Sequence, residues 1–149
     1  MIEPFPWNDA FAVGDKRLDE EHRRMVGLIN QICICADLGQ HAKSISLMTA
    51  LQFVAESHAR NEDAPLTRID IEIAHHPLHT VVDAAIEEHA REHRHKLAEL
   101  RELTERWRAI NSHADELWLC DELKAWFIDH TTGYEARIKT VLQSIRPAG

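Results

Sequence analysis

Residues 82–100 read VDAAIEEHAREHRHKLAEL. Val82, Ile86, Leu97 and Leu100 fall on one side of an α-helix, spaced by threes and fours and their sums. His89 and His93 continue the same side between them. The stretch therefore predicts a helix whose buried stripe turns polar in its middle. Imidazoles aimed into a core need partners, because burying them unsatisfied costs more than a small domain's stability. That helix is expected to begin at Pro77, a good first-turn residue, and to run to about Ile110.

Working outward, three further helical patterns share the trait. The first runs from about Leu18 to Asp37, with Leu18, Met25, Ile29, Ile32 and Ala36 on its stripe and Gly39 beyond its end. His22 lies on that face. The second runs from about Ser44 to Asp63 on Ile45, Met48, Leu51 and Ala55, then reaches His58 and Glu62, with Pro65 as the expected stop. The fourth starts near Ser112, with Asp115 three residues on as an approximate capping box, and extends to about Ile145. Its stripe is Leu119, Leu123 and Trp126, followed by His130, Ile138 and Leu142. Short links between long helices predict an all-α, up-down-up-down antiparallel four-helix bundle.

The whole of 1–149 reads as one domain. Residues 1–17 hold Pro4, Pro6, Trp7 and Gly14 and are expected to form an extended arm anchored by Trp7 and its neighbouring Phe residues. Residues 64–76 read as an insert between helices two and three, with a β-branched alternation at Ile69, Ile71 and Ile73 that leaves loop, extra helix or flap open.

Composition narrows the function. Seventeen Lys and Arg against 25 Asp and Glu give a net charge of −8, which argues against nucleic acid or an anionic membrane as partner. No apolar run spans a bilayer, and the N-terminus lacks the basic start and apolar stretch of a signal peptide. Cys33, Cys35 and Cys120 cannot all pair within one chain and read as reduced thiols, hence a cytoplasmic setting. Cys33 and Cys35 at most make a weak thiol site. Eleven histidines, seven of them between Glu56 and His95, point to metal. No Ser-His-Asp set, phosphate loop or CxxC pair competes, and no catalytic residue is assigned. Imidazole with carboxylate suits iron, zinc, copper or manganese. His22, His58, Glu62, His89, His93 and His130, with Glu135 as a seventh, outnumber the ligands one ion needs, so two bridged ions fit the count.

These residues resemble the hemerythrin family, and more closely its bacterial branch. WNDAFAVGDKRLDEEHRRMVGLIN, beginning at Trp7, is similar to the family's N-terminal Trp, its Val-Gly turn and the Asp-x-x-His that leads into helix one. His58-Ala-Arg-Asn-Glu62, His89-Ala-Arg-Glu-His93 and Trp126-Phe-Ile-Asp-His130 resemble its later motifs in order. The resemblance implies a non-haem di-iron centre, with an oxo or hydroxo bridge, that binds O2 reversibly. It implies His89, His93 and His130 on one iron, His22 and His58 on the other, and two bridging carboxylates. Met25, Ile29, Phe53, Leu97 and Trp126 are the expected lining of the O2 pocket.

Two departures stand out. The family's last ligand is an Asp five residues after the helix-four His, and here that position is Glu135. Five residues turn an α-helix by about 500°, which misses the face of His130 by about 140°. A one-residue π slip restores the face, and Gly133 is expected to permit it. If Glu135 is only a solvated charge, the second bridge is missing. The other departure is the long spacing from Glu62 to His89, which admits His75 and His79 as a rival pair. His75 precedes Pro77 and so falls outside a helix, which favours His89 and His93.

The leading expectation is an O2-binding protein for storage, delivery or sensing, not an enzyme. It would be a monomer or weak homo-oligomer that acts alone or with a separate redox or signalling partner. The alternatives are a di-iron enzyme using O2, peroxide or nitric oxide, and an iron or metal-homeostasis protein.

Overall fold

The computed structural model describes residues 5–12, 15–134 and 138–141. Four helices follow a short 3-10 turn at Asp9–Phe11. They are α1 (Lys16–Asp37), α2 (His41–Glu72), α3 (His79–Ala109) and α4 (His113–Asp129), and a π segment at His130–Tyr134 continues α4. The described residues contain no strand. Contacts run in a ring, α1 on α2, α2 on α3, α3 on α4 and α4 on α1, which is the four-helix bundle the patterning predicts. Among the described residues no helix is long and apolar enough to cross a membrane.

The helix ends follow from local chemistry. Asp15 caps α1, its Oδ1 accepting the Leu18 N–H at 3.0 Å. Gly39 takes φ +74°, a left-handed conformation that closes α1 and lets the Gln40 N–H reach the Cys35 carbonyl at 2.8 Å. Ser112 caps α4 through the Asp115 N–H at 3.4 Å. The main core stacks Ile29, Ile32, Met48, Leu51, Leu100, Trp107, Leu119 and Leu123 at 1% exposure or less. Each such side chain contributes about 1.5–3 kcal/mol by leaving water.

Three expectations need correction. First, 64–72 is not an insert outside the helices. It is the last part of α2, which carries Pro65 in its interior, and the connection to α3 is only 73–78. Leu66, Ile69 and Ile73 form a helical stripe that packs with Val82, Ile86 and Ile138 into a second small core. That packing offsets the backbone bond Pro65 removes. Ile71, counted with Ile69 and Ile73 as an alternating run, is exposed.

Second, α1 begins at Lys16, within the expected arm, and α3 begins at His79, two residues past Pro77. The arm's described part includes the 3-10 turn, and Phe5 and Phe11 are buried against Phe127. Asn30 clamps the arm, accepting from the Phe5 N–H and donating to the Phe5 carbonyl at 2.8 Å. Arg23 lies 4.5 Å over the half-buried Trp7 ring.

Third, the π slip expected after His130 is present, but the role given to Gly133 needs correction. The regular part of α4 ends at Asp129, the π segment follows, and helix is described again at 138–141. The Thr131 and Thr132 hydroxyls donate back to the Phe127 and Ile128 carbonyls at 3.0 and 2.6 Å, a pattern that bends helices. Gly133 has no left-handed backbone, and a Cβ there would meet nothing, so the slip does not depend on glycine at that position.

Candidate metal centre

Each wall of the bundle sends polar side chains to one level of the core. His22 on α1 is fully buried, and its Nδ1 donates to the Phe11 carbonyl at 2.8 Å. A carbonyl only accepts, so this bond fixes the tautomer and turns Nε2 inward. There His22 Nε2 meets His58 Nε2 of α2 at 2.9 Å. Behind His58, its Nδ1 lies 3.6 Å from Glu21 Oε1, and the other Glu21 oxygen accepts from Asn61 at 2.9 Å.

Four residues along α2, Glu62 is 7% exposed and faces both ways. Its Oε2 lies 3.3 Å from His58 Nε2. Its Oε1 lies 2.7 Å from His89 Nε2 and 3.2 Å from His93 Nε2, both on α3. His130, at the start of the π segment, closes the ring, its centroid 5.1 Å from that of His93. His89, His93 and His130 are all buried.

Asp63 stands behind the α3 pair. Its Oδ1 accepts from His93 Nδ1 at 2.8 Å and lies 3.6 Å from His89 Nδ1. Burial works to raise the Asp63 pKa, but hydrogen bonds from His89 and His93 outweigh it and hold the carboxyl at about 2. Burial likewise works to lower His93, and its hydrogen bonds to Asp63 and Glu62 outweigh that and raise it.

This donor set fits a cation. With Nδ1–H of His93 committed to Asp63, the ring presents its lone pair to a carboxylate oxygen. Two acceptors face to face call for a positive charge between them, either a proton or a metal. Ligand atoms of His22, His58 and Glu62 all lie within 4.8 Å of one another, and so do those of Glu62, His93 and His130. Glu62 belongs to both groups. A third group, Asp63, His89 and His93, overlaps the second.

A small cavity of about 20 Å³ lies against the histidines, room for about one water-sized molecule. His58, His93 and His130 form one side of it, and Met25, Leu97 and Trp126, three of the expected lining residues, form part of the other. Ile29 is buried in the main core but does not reach this cavity. Phe53 is a correction: it is 69% exposed. It lies two residues from both Leu51 and Ala55, about 200° around the helix from the stripe they share.

The rival pair is elsewhere. His79 opens α3 with its Nε2 3.1 Å from Asp70 Oδ1, and His75 lies in the 73–78 connection. The π segment occupies the residues just before Glu135, and Glu135 itself lies outside the described residues. Cys33, Cys35 and Cys120 are free and buried.

Sequence reading missed Asp63, Glu21 and the carbonyl of Phe11, which orient ligands without being ligands of the expected set. Asp63 had a signal, being the neighbour of Glu62. The Phe11 carbonyl had none, since every residue has one.

A helical bundle with imidazoles from all four walls around a shared carboxylate is a His/carboxylate cation-binding bundle. The family model of the hemerythrin HHE cation binding domain matches residues 13–142. The chain belongs to that family. A comparison with curated proteins finds no match.

Proposed function

We propose that the protein is a non-haem di-iron protein that binds O2 reversibly, for storage, delivery or sensing. The observation that carries this reading is Glu62, shared between two groups of histidines beside a cavity for one small molecule. His22 and His58 would hold one ion, His89, His93 and His130 the other, and Glu62 would bridge them. Bound iron supplies the electrons and the open position that O2 needs.

The chain's own residues do the rest. The Phe11 carbonyl and Asp63 hold His22 and His93 in orientation. Met25, Leu97, Trp126 and Phe127 keep bulk water from the cavity. Among the described residues of the cavity lining, Lys96 is the one ionisable residue apart from histidine, and its ammonium is held by Asp129 at 2.6 Å.

The test is metal analysis of anaerobically iron-loaded protein, with its optical spectrum before and after air. Two irons per chain, with a visible band that appears in air and vanishes under vacuum, are expected. Direct, irreversible oxidation would make it an oxidase-type enzyme instead. One ion, or zinc alone, would sink the di-iron reading.

A further inference from the structure

Lys96 is a buried cation, 5% exposed, that the ligand set does not use. It lies on α3 one turn beyond His93. Its stem lines the 20 Å³ cavity, while its Nζ leaves the core to meet Asp129 Oδ2 at 2.6 Å, with Glu99 Oε2 at 3.5 Å. Asp129 is at the surface, its side chain 66% exposed. Trp126 shares the position: its indole Nε1–H donates to the Lys96 carbonyl at 2.9 Å, pinning the ring to α3.

Outside these two residues lies a groove of about 440 Å³ between α3 and α4. Glu99, Glu102, Arg106, Glu122 and Asp129 are among its walls. Among the described residues, Lys96 and Trp126 alone belong to the linings of both the groove and the histidine-side cavity. They are the partition between them.

We propose that Lys96 and Trp126 form a gate through which small ligands enter from the α3–α4 groove, and that the Lys96–Asp129 ion pair is its latch. This rests on the reading of the histidine cluster as a ligand-binding metal centre. The latch is the weak part of the partition. Its carboxylate is two-thirds exposed and its bond only part-buried, whereas the indole bond is buried. Swinging Lys96 toward solvent opens the stem's share of the wall without unpacking a helix. The groove carries more carboxylates than cations, so it suits a neutral diatomic molecule better than an anion.

A gate changes how fast a ligand comes and goes but not how tightly it binds, and this separates it from a charge that acts on the ligand. Two surface variants release the latch and leave Lys96 and its stem in place: Asp129→Ala and Asp129→Asn. The first readout needs no iron. Exchange of the Trp126 indole proton with solvent, followed by NMR in the full-length zinc-treated chain, should quicken by up to about tenfold in both variants, the scale on which such ion pairs act. The Trp107 indole proton, held by Glu116 at 2.9 Å, is the control and should keep its rate. The second readout is anaerobic binding of nitric oxide, a neutral diatomic molecule, to the iron-loaded protein, with association and dissociation rising together and Kd unchanged. Unchanged Trp126 exchange in both variants overturns the gate. So does a Kd that shifts through dissociation alone, which would make Lys96 an electrostatic contact. Failure to load iron, with Trp126 exchange quickened as expected, counts against the di-iron reading and leaves the gate standing.

Discussion

At the scale of single residues, the centre is built from ligands and from the groups that aim them, and the two kinds should fail differently. Glu62→Ala removes the one side chain common to both histidine groups. It should cut bound iron from two per chain to one or none, read by metal analysis. Asp63→Asn keeps every ligand but loosens His93 and His89, and should weaken metal binding about 10- to 100-fold in competition with a chelator. The metal-free protein offers a second check on Asp63. Its carboxyl sits at about 2 against an ordinary 3.8, so its stabilising contribution is present above the ordinary value and lost as pH falls through about 2. In an acid titration followed by circular dichroism, the Asp63→Asn variant should start less stable and converge with the parent near that lower limit. Phe53→Ser, on the exposed face, should move stability by no more than about 0.5 kcal/mol.

At the scale of elements, the stripes of α1, the first part of α2, α3 and α4 were readable because apolar spacing and buried face coincide there. The same stripes carried the six inward polar residues from His22 to His130. The end of α2 was not readable. Pro65 is a local stop signal, and only Val82, Ile86 and Ile138, distant in sequence, supply the packing that overrides it. Pro65→Ala should therefore raise stability in urea unfolding, by about 1–3 kcal/mol, the cost of proline inside a helix. The slip after His130 was readable from the mismatch between five residues and the helical turn. The glycine assigned to it was not the cause. Gly133→Ala meets open space and should leave the fold and the iron content unchanged.

At the scale of the whole molecule, one ligand group joins α1 to α2, the other joins α2 to α3 and the segment after α4, and Glu62 links them, so ions in both would tie all four walls of the ring together. Metal that binds the folded chain and not the unfolded one raises the melting temperature in step with its concentration. Removing it with a chelator should lower the Tm measurably, and restoring it should reverse the loss. His93 binds a proton more readily than an ordinary histidine, through its hydrogen bonds to Asp63 and Glu62, so metal and protons compete for it. Loading should then release protons to a weakly buffered dye and should weaken as the solution is made more acidic.

The bond from His22 to the Phe11 carbonyl has a consequence for how this site tolerates change. All twenty amino acids carry that acceptor, so an alanine scan across the arm will pass over position 11 as a packing residue and miss its hold on the ligand. Insertions and deletions are the edits that expose it. One residue added or removed between the 3-10 turn and α1 re-aims the peptide group while leaving every side chain of the cluster in the gene. The number of residues between arm and helix should therefore matter more to metal binding than their identity.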